Sequence, residues 1–183
     1  DAAVAGTVIQ ENRFFDSTIP LAINSNLSLD DSNFFDSGVP SALQPNKYNG
    51  VLVQGCGHVT SATQWQVKSV PLVIGNPVDA CNYLVIDNGG HLTLGSDVTM
   101  KFFLDGRIDV SAGGLFSVDA TDYLTSIQDD HLNDTNADGS ATAPATNDWD
   151  GVKYRHSSTS PTCDVNSYMH YYTPNNPDGS CGW

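Results

Sequence analysis

One stretch of this chain occurs twice. Phe14-Phe15-Asp16-Ser17-Thr18-Ile19-Pro20 returns as Phe34-Phe35-Asp36-Ser37-Gly38-Val39-Pro40, and the frame holds through Ala22 and Ala42, then Ile23 and Leu43, at an offset of 20 residues. A fixed period of this size means that one short unit, unable to bury its apolar face alone, is stacked on a copy of itself. A leucine-rich repeat has a similar period, but its leucine and asparagine ladder is absent. The remaining architecture is a coil of short strands, one turn per repeat, with Phe, Ile and Val pointing inward over the same position of the next turn.

Past Gly50 the period blurs while strand-length apolar pieces continue: 50–53, 71–74, 83–86, 92–94, 98–102, 107–110 and 115–118, after an earlier one at Thr7-Val8-Ile9-Gln10. Their punctuation is Asn88-Gly89-Gly90, Gly95-Ser96-Asp97, Asp105-Gly106 and Ala112-Gly113-Gly114, all turn signals. A β-sandwich of hairpins would carry the same punctuation, and Asn88-Gly89-Gly90 suits a hairpin. The repeat favours the solenoid. Composition agrees, because Glu11 is the only glutamate among 21 acids, and aspartate favours turns and caps over helix interiors.

The run Leu92-Thr93-Leu94, Val98, Met100-Lys101-Phe102, Ile108, Val110, Gly114-Leu115, Val118, Thr125-Ser126-Ile127-Gln128-Asp129-Asp130, Asp138-Gly139 and Trp149-Asp150-Gly151-Val152 resembles the right-handed parallel β-helix repeat of secreted microbial surface proteins. The likeness covers about residues 83–153. It departs from the repeat at Ser96-Asp97, where a glycine is usual. The resemblance implies an all-β, right-handed parallel β-helix and a place among extracellular stalks, adhesins and surface-layer modules. The helix is expected over residues 1–160, with an Asp-rich insertion near 129–148. A Pro/Asn/Gly-rich region over 161–183 would form a disulfide-tied C-terminal tail or cap, folding over the last coil or reaching a neighbouring subunit.

Cys56, Cys81, Cys163 and Cys181 lack the C-x-x-C pairs of zinc sites, so disulfides are expected. Four cysteines allow three connectivities; Cys56 with Cys81 and Cys163 with Cys181 close the shorter loops. Asn26-Leu27-Ser28 and Asn133-Asp134-Thr135 are glycosylation sequons. Disulfides and sequons together point to a secreted, extracellular or cell-surface setting. A formal charge of −14 opposes nucleic acid and anionic lipid, and no run of 18 apolar residues offers a membrane span. No capping helix is legible before the first coil, so open ends could stack copies end to end.

Asp134-Thr135-Asn136-Ala137-Asp138-Gly139 reads as the start of a calcium loop, with alternating oxygen side chains around one centre. An EF-hand would put Glu at the twelfth position, which is Ala145. Asp129, Asp130, Asp148 or Asp150 would have to complete the ligands of a structural calcium ion. Catalysis of the polysaccharide lyase or hydrolase kind would use Asp129, Asp130 and His131, or Cys56-Gly57-His58, or Lys153-Tyr154-Arg155-His156, but adjacent extended aspartates point to opposite faces. Trp65 and Trp149 are expected to pack at strand ends. The tyrosines at 168–172 suit stacking on a glycan. The expected function is therefore a non-catalytic structural subunit of a surface or filamentous assembly. A surface adhesin or carbohydrate-binding module is the alternative.

Overall fold

The computed structural model describes residues 7–35, 46–75, 81–155 and 161–163. Thirteen short strands make up its regular structure: β1 (Leu21–Ile23), β2 (Val51–Val53), β3 (Gly57–Val59), β4 (Ala62–Trp65), β5 (Leu72–Ile74), β6 (Tyr83–Ile86), β7 (His91–Leu94), β8 (Thr99–Phe102), β9 (Gly106–Val110), β10 (Leu115–Ser117), β11 (Tyr123–Ser126), β12 (Trp149–Arg155) and β13 (Pro161–Cys163). They form three sheets ordered β1-β2-β5-β8-β11, β10-β7-β4 and β13-β12-β9-β6-β3. Every third strand from β2 onward thus returns to the same sheet one turn later. The result is a parallel β-solenoid of about three turns, and the sandwich alternative is excluded. Asn88-Gly89-Gly90 is no hairpin, since it joins β6 and β7 in different sheets.

The inward positions stack in columns. Val51, Leu72, Met100 and Leu124 follow one another in register, as do Ile23, Val53, Ile74 and Phe102, and all are buried. On the second sheet Trp65 lies over Leu94, and on the third Val59, Ile86 and Val110 align. Each such side chain contributes about 1.5–3 kcal/mol through burial. Turns vary in length, which is why the period blurs: the first column's steps are 21, 28 and 24 residues. Insertions go to the corners while the columns persist.

The repeat itself folds one residue out of its sequence frame. Arg13 pairs with Phe34 in parallel, and Phe14 stacks on Phe35 with ring centroids 5.1 Å apart. The spatial offset is therefore 21 residues, not 20. Because side chains alternate, that slip decides which phenylalanine faces in: Phe35 is 1% exposed, whereas Phe34 is 47% and Phe15 36%. Thr7-Val8-Ile9-Gln10, expected as a strand, forms none. The second copy beyond Phe35, including Ala42 and Leu43, lies outside the described residues.

Corners are held by side chains that substitute for the ladder. The Asn26 carboxamide accepts from Thr60 N (2.8 Å) and donates to the His58 carbonyl (2.7 Å); Asp31 accepts from Lys68 N and Asp122 from Val98 N. Asp97, at the departure from the family pattern, takes the left-handed conformation itself (φ 63°), as aspartate tolerates. The turns at Gly89-Gly90 and Gly113-Gly114 stack, Gly89 N donating to Gly113 O, and a Cβ on Gly90 would sit 2.0 Å from the Val59 oxygen. Cys56 and Cys81 are bonded, Cα atoms 5.0 Å apart, joining consecutive turns. Replacing both by serine should lower unfolding free energy by roughly 2–3 kcal/mol, read by denaturant titration, since a loop of 25 residues is no longer closed in the unfolded chain. The partner expected for Cys163, Cys181, lies outside the described residues. At the far end β13 pairs antiparallel with β12, so the chain reverses where the tail was expected to begin.

Candidate functional site

The segment between β11 and β12 folds back over the outer face of the first sheet. The outward column there is Ala22, Leu52, Val73, Lys101 and Thr125. Val73, Lys101 and Thr125 are buried although they point away from the core. The cover is the insertion: a Cβ on Gly50 would meet Thr135 Cγ2 at 3.1 Å and Val73 Cγ2 at 3.0 Å.

Lys101 fastens this cover. Its Nζ donates to the carbonyls of Asp129 (2.5 Å) and Asn133 (2.7 Å) and to Thr135 Oγ1 (3.1 Å), three acceptors for three hydrogens. Burial drives its pKa down from the ordinary lysine value to about 8, and the charges of Asp129, Asp130 and Asp134 oppose that fall. Sequence reading passed over Lys101, because a lysine in a strand reads as a solvated side chain. The available signal was its place: a lysine inside the apolar run Val98 to Phe102, one turn of the solenoid before an acidic insertion.

Of the seven residues offered as cation ligands, Asp129, Asp130, Asp134, Asn136, Asp138, Asp148 and Asp150, the structure gathers three. Oxygens of Asp130, Asp134 and Asp138 lie within 4.8 Å of one another. Each is oriented by donors: Asp130 by Ser140 Oγ, Asp134 by the amides of Asp138 and Gly139, Asp138 by the amides of Ala141 and Thr142. The Thr142 hydroxyl, which donates to Asp138, is the main cause holding that carboxyl below its usual range. Asp129 is turned elsewhere, accepting from Thr125 Oγ1 (2.8 Å) and His131 N (2.9 Å). The adjacent aspartates thus diverge where the chain turns out of β11, Asp129 N donating to the Ser126 carbonyl. Asn136 is spent within the loop, donating to Asp138 and Thr142. Ala145 N donates to Asp148 at the loop's exit.

The other expected sites are placed as follows. Cys56 is a disulfide partner, and His58 Nδ1 lies 3.0 Å from Asp87. His131 stacks on Tyr123 at 3.8 Å, and Lys153 donates to Asp150 at 3.1 Å. Within the first sequon Ser28 Oγ accepts from Gln64 N, so it serves as a tie between turns, like Asn26. Within the second, the buried Thr135 hydroxyl bonds Asn133 Oδ1 at 2.7 Å. Trp65 and Trp149 are wholly buried at strand ends, Trp65 Nε1 donating to the Leu27 carbonyl. His156 and the tyrosines of 168–172 lie outside the described residues. Among those described, no helix is long and apolar enough to cross a membrane.

No protein-family model, curated protein or solved structure matches this chain. The solenoid class rests on the chain's own strand pairing.

Proposed function

We propose that this chain is a non-catalytic, extracellular structural module of the microbial surface type, a solenoid subunit that stacks end to end in a surface or filamentous assembly. The observation that carries the reading is where apolar surface is left uncovered. Of seven large apolar side chains exposed among the described residues, Val8, Phe15, Ile19 and Phe34 all precede β2. At the opposite end, β10 is an edge strand whose one strand partner among the described residues is β7, and Leu115 on its outer face is 51% exposed. Edge strands and apolar ends invite a further coil, and a head-to-tail contact of this kind extends without closing. Negative-stain imaging of the purified chain should show fibres one solenoid wide, and Val8→Asp with Phe34→Asp should disperse them. Dispersed wild-type particles would remove this reading.

Calcium belongs to the same proposal as a structural ion held by Asp130, Asp134 and Asp138. Binding only the folded chain, it would raise the thermal midpoint by roughly 5–10 °C at a hundredfold excess over Kd. Asp134→Asn with Asp138→Asn should abolish the shift. An identical midpoint with calcium and with chelator would leave the aspartates as loop caps only.

A further inference from the structure

A groove lies on the outer surface where the first two turns pass from the first sheet to the third. Its volume is 1030 Å³, and its walls are the ends of β1 and β2, the turn 54–56 and strand β3. The chain carries 21 acidic and 7 basic residues, yet among the described residues lining this groove none is Asp, Glu, Lys or Arg. Ala22 and Leu52 form a short apolar strip, the two members of the outward column at this end. Around them stand Asn24, Gln54, His58 and Thr60. Part of this wall is already fixed: Ser25 Oγ donates to the His58 carbonyl at 2.8 Å, and the Asn26 carboxamide bridges His58 and Thr60. The Gln54 carboxamide, by contrast, has no partner among the described residues, and His58 engages Asp87 through Nδ1 alone.

We propose that this groove is a binding site for a neutral oligosaccharide. The argument is one of matched chemistry. An anionic ligand meets a chain of charge −14 and a wall without a cation. A cationic ligand finds no carboxylate in the lining. Sugar hydroxyls donate and accept, and so does a carboxamide, while the His58 ring nitrogen not engaged by Asp87 supplies one further contact. The C–H face of a pyranose ring covers an apolar strip such as Ala22 and Leu52. Without an aromatic platform in the lining, affinity falls in roughly the millimolar range. The groove borders β1, the first sheet's edge strand at one end invoked for assembly, but Gln54 and His58 are different residues from Val8 and Phe34, so either reading can fail alone.

The test is calorimetric or NMR titration of the purified chain with cello-, malto- and manno-oligosaccharides, with oligogalacturonate as the acidic control. At least one neutral series should bind and the acidic one should not. Gln54→Ala and His58→Ala, both at exposed positions, should each weaken binding roughly tenfold, about 1.4 kcal/mol. Gln64→Ala, on the outer face of β4, should leave it unchanged. Thermal midpoints confirm that each variant folds. The proposal is overturned by absence of binding up to 10 mM of every neutral series, by equal binding of the acidic control, or by affinity indifferent to Gln54 and His58.

Discussion

Replacing Lys101 by methionine should open the insertion while leaving the solenoid wound. The substitution keeps the length and apolar stem of the side chain but strands two carbonyl oxygens and a hydroxyl that now accept from Nζ. Each unpaired buried acceptor costs about 1–3 kcal/mol. Relief of the ammonium's own desolvation offsets part of this, which is why the net falls near 2–4 kcal/mol and not at the full sum. The loop can also swing into water to rehydrate those groups, so the loss is local. Hydrogen exchange should show amides of 130–142 speeding up by roughly 30- to 1000-fold, with β5 and β8 still protected. Equal acceleration everywhere would mean that Lys101 supports the sheet and not the cover.

The same lysine predicts a pH dependence of definite sign. Its folded pKa of about 8 lies below the ordinary value of 10.5, so between these limits the unfolded chain holds a proton that the folded chain has released. Stability then rises with pH across that window, by at most about 3 kcal/mol, and the gain disappears below pH 8, where both states are protonated. Denaturant midpoints of wild type measured at pH 7.5 and 10 should diverge from those of Lys101→Met by this increment. A fall in the wild-type increment relative to the variant would reverse the assignment.

How much of this was legible in the sequence depended on whether a residue's chemistry announced its environment. Val51, Leu72, Ile74, Leu84 and Ile108 did, because apolar side chains in short runs bounded by Gly and Asp have one plausible place. Strands β3 and β4 did not: Gly57-His58-Val59 and Ala62-Thr63-Gln64-Trp65 bury Val59, Thr63 and Trp65 and expose His58, Ala62 and Gln64, a mixture of polar and apolar residues shared with loops. The doubled Phe-Phe was legible as a repeat but ambiguous in register, since either phenylalanine could face inward until Phe14 met Phe35. Cys56 with Cys81 followed from loop length. The acidic loop was legible by motif, yet which acids converge depended on Asp129 being drawn to Thr125, a contact across a turn that spacing alone does not reveal. The role of Lys101 was legible only through its place in an apolar run, because its burial comes from a segment 28 to 34 residues later.

Trp149 is where the chain re-enters the solenoid after that excursion, and Trp149→Ala should be among the most damaging single changes in the molecule. The side chain is fully buried and stacks on Phe102 with ring centroids 4.3 Å apart and planes within 4°. Phe102 is the last apolar member of the column through Ile23, Val53 and Ile74, before Ser126, so one indole joins the first sheet's core to the first residue of β12. The backbone there is irregular: Trp149 pairs with Gly106 and Gly151 with Arg107, leaving Asp150 bulged outward toward Lys153. A bulge bends the strand, and the indole sets where that bend falls. Truncation removes a large transfer term and leaves a cavity against Phe102, costing about 3–5 kcal/mol. Trp149→Phe keeps a stacked ring and should cost roughly 1–2 kcal/mol. Because β12 is the one strand that pairs with β13 among the described residues, the alanine variant should also lose protection over 149–155 and 161–163 in hydrogen exchange before β2 and β5 do. If alanine and phenylalanine prove equally mild, the insertion's return is anchored by the β9 pairing alone and the aromatic stack is incidental.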